Sequence, residues 1–427
     1  MKPHFALPLA MAVLLAAAPA FAQEKFTPPA TPRVTYNFNA GWKFFKEDAA
    51  PVENAQDPAF DDSSWQSIST PHSFNETDSF RTIISHGGGD RGAWKGTVWY
   101  RKHFTLPASA NGQKVFIEFE GMRQAADIFL NGKQVGLSEN GVTPYGIDLT
   151  PSLKSGDNVL ALHLDNRTTY KEKATGTTYE WNANDFNPDH GGINRPVWLH
   201  VTGKIHQTLP LNDGLQTTGI YVHAGDFDIP GKKTTVTIES QVANETADRA
   251  TVGLTAYIVD ADNVVRAKIS ADPVDMVAGE KTVMQTAVPL ADAHFWSPDD
   301  PYLYHVYTVL TVDGKPVDVA DTTTGFRKTE FKGGAGTGGI YINDKFVYLK
   351  GFAQRSSNEW AGLGGGYPEW MHDWTIKLMR DDHANYVRWM HVSPQPADVR
   401  ACDKYGIVQL CPAGDKERDV QGRQWDQ

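Results

Sequence analysis

The chain has 427 residues, enough for about three domains of ordinary size. Hydrophobic residues make up 40%, charged residues 21% and aromatic residues 11%, a globular balance that excludes a disordered, collagen-like or coiled-coil chain. The 40 Lys and Arg against 51 Asp and Glu leave a net charge of -11, which repels phosphate backbones and anionic lipid and argues against nucleic-acid partners. The 12 Trp, 15 Tyr and 20 Phe suit either sandwich cores or stacking on sugar rings; composition does not separate the two uses.

Residues 1–22 read as a cleavable signal peptide: Lys2 supplies the positive end, Leu7 to Ala18 the apolar centre, and Ala20-Phe21-Ala22 the small-x-small cleavage site. A cut after Ala22 makes the protein secreted or periplasmic. The apolar stretch falls short of the ~20 residues a spanning helix needs, so no stable membrane anchor is expected.

Residues 34–203 carry short alternating segments between Gly, Pro and Asn, the pattern of an antiparallel sandwich. Val115, Ile117 and Phe119 point one way, and Phe116, Glu118 and Glu120 the other. Leu160, Leu162 and Leu164 oppose Val159, Ala161 and His163, and Asn131-Gly132 supplies a tight hairpin. The strand count fits a jelly roll. Residues 204–328 form a second β unit, with Val236, Ile238 and Val242, then Val252, Leu254, Ala256 and Ile258, then Tyr304, Val306, Leu310 and Val312 ahead of Asp313-Gly314. About seven strands there predict an immunoglobulin-like sandwich without a long helix.

The texture changes from residue 329 onward. Phe346 to Gly351 reads as an apolar strand, Glu369 to His383 as a helix with Met371, Trp374, Leu378 and Met379 at helical spacing, and Asn385 to Met390 as a strand. Pro396 to Tyr405 reads as a second helix and Ile407 to Cys411 as a third strand, together the opening of a parallel α/β domain. The two cysteines, Cys402 and Cys411, exclude a disulfide framework and are expected to be buried packing residues. The chain shows no phosphate loop, no dinucleotide glycine fingerprint, no nucleophile elbow and no zinc-type histidine spacing.

Four segments in order, Trp99-Tyr100-Arg101-Lys102, Phe129-Leu130-Asn131-Gly132, Pro144 to Thr150 and Gly191-Gly192-Ile193-Asn194-Arg195-Pro196-Val197-Trp198-Leu199, resemble the sugar-binding jelly roll of glycoside hydrolase family 2. Thr324-Gly325-Phe326-Arg327-Lys328 is similar to that family's exit from its immunoglobulin-like domain, and Tyr341-Ile342-Asn343 through Leu349-Lys350-Gly351 to its entry into a (β/α)8 barrel. Asn385-Tyr386-Val387-Arg388-Trp389-Met390-His391, then Pro394, resembles the barrel signature of the same family.

The resemblance makes Arg388 and His391 candidates for lining a sugar pocket, since the carboxyl ends of parallel barrel strands converge on the substrate face; an internal ion pair for Arg388 and plain packing for His391 stay open. It likewise makes Asp185 and Asn187 candidates for reaching substrate from the jelly roll, where a carboxylate can accept two sugar hydroxyls. Trp181 and Trp360 are read as packing residues that could also stack on sugar. Family members often carry histidine near Arg355 or Ser356, a departure that bears on which sugar is recognised.

The family retains configuration with an acid/base and a nucleophilic glutamate about 5–5.5 Å apart. The resemblance places both on later barrel strands, so they are expected beyond residue 427, and Asn75-Glu76, Asn244-Glu245 and Asn358-Glu359 are not assigned those roles. The chain therefore reads as the front part of an exported, β-galactosidase-like hydrolase, truncated before its catalytic glutamates, acting on oligosaccharide or polysaccharide. The alternative is a secreted, non-catalytic carbohydrate-binding protein. The resemblance leaves magnesium or sodium and homo-oligomerisation open, with no cofactor evident and no ligand set assignable.

Overall fold

In the computed structural model the described residues are 25–74, 94–123, 125–139, 141, 143–167, 169–173, 176, 191–209, 219–334, 338–354, 366–389 and 393–411. The signal segment lies outside them.

The first unit is a sandwich of two antiparallel sheets. One runs in the order Val34–Asn37, Val197–Thr202, Lys114–Phe119, Tyr145–Asp148; the other runs Gln66–Ile68, Trp42–Lys46, Thr97–Phe104, Asn158–Asp165, Ala126–Leu130, Lys133–Ser138. Alternation decides the core: Val115, Ile117 and Phe119 of one sheet meet Trp42, Tyr100, Ile128, Leu160, Leu162 and Leu164 of the other. Burial of each such side chain contributes about 1.5–3 kcal/mol. Asn131 and Gly132 take positive φ angles of 52° and 84°, so the hairpin closes in two residues with Leu130 opposite Lys133.

The outward faces of these strands are also covered. Ala161 packs with Ala55, Trp65 and Trp99 in a second small core, and Phe116 meets the ring of His206, in the next unit, at 5.7 Å. Of the outward-facing residues, Phe116 thus touches the next unit, while Glu118 and Glu120 bond His200 and Trp198 of the same sandwich.

The second unit pairs a sheet of Ile205–Gln207, Lys233–Asn244, Ile220–Asp228 and Lys281–Ala291 with one of Val265–Ser270, Ala250–Val259, Tyr304–Val312, Lys315–Thr324 and the short Val274–Met276. The seven long strands between 220 and 324 match the expected count. Polar side chains tie this unit to the first: Arg33 makes a two-pronged pair with Asp318 at 2.7 and 2.8 Å, and Lys114 bridges Asp148 and Glu245.

The third region begins with an antiparallel sheet of Thr329–Lys332, Gly339–Ile342 and Lys345–Val347. This corrects the single strand expected over Phe346 to Gly351. Asn343 and Asp344, at φ 51° and 64°, turn the chain so that Lys345–Val347 folds back on Gly339–Ile342. Asn385 then accepts from the Lys350 amide at 2.8 Å and donates to the Tyr348 carbonyl at 3.0 Å, where the backbone leaves one sheet for the next.

The parallel sheet follows as Gly351–Gln354, Tyr386–Trp389 and Val408–Leu410, with the helices Glu369–Asp381 and Pro396–Tyr405 on one face. Ile376, Met379, Ala401 and Cys402 pack on Val387, Trp389 and Ile407. Of the helix pattern, Met371 and Met379 are buried, whereas Trp374 and Leu378 sit on the outer surface with Trp370. Cys402 is a buried free thiol, as expected, but Cys411 is exposed because its strand ends at Leu410. Among the described residues no helix is long and apolar enough to cross a membrane.

Candidate functional site

Parallel strands deliver their carboxyl ends, and the loops behind them, to one side of the sheet. Arg388 stands level with Ala353 and Leu410 on the neighbouring strands. Val387 and Trp389 pack toward the helices, so alternation turns Arg388 to the opposite face, the one a closed barrel encloses. It is half-buried there. His391, Asp185 and Asn187 lie outside the described residues, as do Trp181, Arg355, Ser356 and Trp360.

The strand holding Arg388 is followed by a helix with a well-defined start. Gln395 and Asp398 close a reciprocal capping box, with Pro396 in the first turn where its missing N–H costs nothing. Within it the Gln395 amide donates to Asp398 Oδ2 at 2.9 Å. The other oxygen of Asp398 accepts from His372 Nδ1 at 2.6 Å, across to the first helix. Tyr367 lies over the His372 ring, centroids 4.3 Å apart.

The jelly roll completes this cluster. Arg195 is buried and reaches the carbonyl of Glu120 from Nη1 at 3.4 Å and that of Ser393 from Nη2 at 3.5 Å. Gly121 makes room for it, because a Cβ there would lie 2.6 Å from Arg195 Cδ. Burial pulls the Arg195 pKa below the ordinary guanidinium value, opposed first by Asp398 and then by Glu120. Glu120 accepts from the Trp198 indole at 2.7 Å, and its own pKa is raised, mainly by burial.

His372, Asp398 and Arg195 are each at most 3% exposed, too enclosed to touch a sugar. They support the segment from Ser393 to Pro396 rather than forming a catalytic centre. Sequence reading placed Arg195 in the jelly-roll motif and did not single out His372 or Asp398. The spacing Gln395-x-x-Asp398 is a helix-start pattern that could have flagged the second.

The immunoglobulin-like unit holds the same α/β region from another side. Trp296 donates to the Asp403 carbonyl at 2.8 Å, and the Arg327 guanidinium lies 5.0 Å from the Trp296 ring centre. Burial raises the Asp403 pKa, with Arg327 opposing. Among the described residues no group of three or more His, Cys, Asp and Glu side chains is placed to hold a metal ion.

Two β-sandwiches running into a parallel α/β sheet, with an arginine on its inner face, define a modular protein of the glycoside-hydrolase type. Three family models match in succession: the galactose-binding-like domain of glycosyl hydrolase 2 at residues 91–199, glycosyl hydrolases family 2 at 220–327, and the TIM barrel domain of that family at 336–414. The chain belongs to glycoside hydrolase family 2. A β-glucuronidase of Formosa agariphila is 39% identical over 92% of this chain and 39% of its own length. A β-galactosidase of Thermoanaerobacter pseudethanolicus is 26% identical over 88% of this chain and 46% of its own. A solved family 2 β-glucuronidase superposes with a TM-score of 0.84 at 37% identity, covering 94% of this chain and 41% of that one. The chain thus spans less than half the length of these relatives.

Proposed function

We propose that these residues form the sugar-facing modules and first barrel strands of a retaining β-glycosidase that removes terminal sugars from oligosaccharide or polysaccharide. The observation that carries this reading is Arg388 on the inner face of the parallel sheet, next to the loop bearing His391. Arg388, His391, Asp185 and Asn187 are assigned to substrate contact, and no residue of the chain to acid/base or nucleophile. Similarity to β-glucuronidases at 37 and 39% identity supports a β-glucuronide substrate. The second reading, β-galactoside, is the one the sequence motifs suggested, and relatives named β-galactosidase support it. The signal-like Met1 to Ala22 supports export.

The test begins with the polypeptide purified from its native source, its intact mass compared with 47.1 kDa. p-Nitrophenyl β-D-glucuronide and β-D-galactopyranoside are then offered, and the first-formed anomer is read by proton NMR. Retention on either sugar, with kcat/KM lowered about 100-fold by Arg388→Ala, is the expected result. Inversion, or no turnover of any β-glycoside, overturns the reading.

A further inference from the structure

The segment from Ser393 to Pro396 is held from the jelly roll as well as from its own domain, and the two grips share one carboxylate. On the jelly-roll side the backbone around Arg195 is pinned. His72 N–H donates to the Ile193 carbonyl at 2.7 Å, Phe74 N–H to that of Gly191 at 3.0 Å, and Arg123 and Gly192 exchange a pair of backbone bonds at 2.8 and 2.6 Å. From that base the Arg195 side chain crosses above Gly121 to the Ser393 carbonyl, 198 residues along the chain. On the barrel side Asp398 fixes the same segment through the Gln395 amide, and is itself held by His372. Asp398 is also the charged group that acts most strongly on Arg195. Arg195, His372, Gln395 and Asp398 are all buried, where charge–charge coupling is strongest.

The geometry points to Arg195 as a positioning residue. Through Ser393 and Asp398 it sets the segment Ser393 to Asp398, which opens the helix after the Arg388 strand, so that sugar affinity in the barrel depends on a side chain of the jelly roll. This rests on the glycosidase reading for its kinetic arm only. A guanidinium is required because it reaches two carbonyls in different directions while keeping its charge beside Asp398; an ammonium on a shorter fork does not.

The experiment uses the intact polypeptide with Arg195→Lys and Arg195→Met, and two readouts: KM and kcat on the glycoside that the wild type hydrolyses, and hydrogen exchange of the peptide 386–398. Arg195→Lys is expected to raise KM on the order of tenfold or more with a smaller change in kcat, and to speed exchange in 386–398 but not in strand Asn158–Asp165. Arg195→Met should show the larger effect on both. A lowered melting temperature with unchanged KM and unchanged local exchange overturns the assignment, because a purely structural residue would behave that way. If Arg195→Met fails to fold, the lysine variant decides. If the wild type hydrolyses no glycoside, the functional reading falls, and exchange alone decides: unaltered exchange in 386–398 then refutes the coupling.

Discussion

His372 Nδ1 and Asp398 Oδ1 lie 2.6 Å apart, joining the two helices that cover the parallel sheet, and both residues are buried. Asp398 also caps its own helix and faces Arg195. Asp398→Ala strands two donors, His372 Nδ1 and the Gln395 backbone N–H, and removes the charge beside Arg195; it is expected to cost about 3–5 kcal/mol, read by urea unfolding. His372→Ala added to it should cost clearly less than His372→Ala alone, since members of one network are non-additive. Strict additivity would separate His372 from the network.

Asp318 is fully buried and serves three groups: the Arg33 guanidinium, the Gln207 amide at 2.8 Å and the Gln207 side chain at 3.3 Å. Arg33 comes from ahead of the first sandwich and Gln207 from the strand that opens the second, so this carboxylate is a joint between units. Asp318→Ala should cost about 3–5 kcal/mol by leaving a half-buried cation unpaired, and Asp318→Asn less. Protease cutting between residues 203 and 220 should accelerate in the alanine variant; an unchanged cutting rate would contradict the joint.

Gly406 ends the second helix at φ 74°, and a Cβ there would meet the Pro298 carbonyl oxygen at 2.3 Å. Gly406→Ala therefore combines left-handed strain, about 1–2 kcal/mol, with a clash against the immunoglobulin-like unit. Its melting temperature is expected to fall well below that of an alanine placed at exposed Gly279, where the φ is similar and nothing lies within 4 Å. Equal losses at the two sites would show that only backbone strain matters.

His72 is half-buried with its Nδ1 2.8 Å from the Tyr100 hydroxyl, and burial lowers its pKa from 6.5 to about 4. Between those values the unfolded chain binds a proton that the folded chain refuses. Stability should thus fall as the pH drops from 6.5 to about 4 and level off below, by about 3 kcal/mol from this group. Denaturation midpoints at pH 7 and 4.5 should lie closer together in His72→Asn than in the wild type. An identical pH gap in both proteins would exclude His72 as the source.

Much of the architecture was legible locally. Val115, Ile117 and Phe119 alternate as core residues must, Asn131-Gly132 and Asp313-Gly314 carry the turns their backbone freedom allows, and Pro396 to Tyr405 is the helix its pattern announced. The strand expected at Phe346 to Gly351 failed because an apolar run does not say which partner it pairs with. Asn343 and Asp344 settled that by reversing the chain. At the site, Arg388 was named through the family resemblance, whereas His372 and Asp398 were not singled out.

The sequence by itself determined two sandwiches, the α/β segment and its order of strands and helices, because periodicity of two or near four residues is a local property of the chain. Only the tertiary structure decided that Phe116 faces the second sandwich, that Glu120 takes the Trp198 indole and that Arg195 reaches Ser393. Contacts between residues 78 to 198 positions apart leave no local pattern; they are fixed by which desolvated groups find partners when distant segments close on one another.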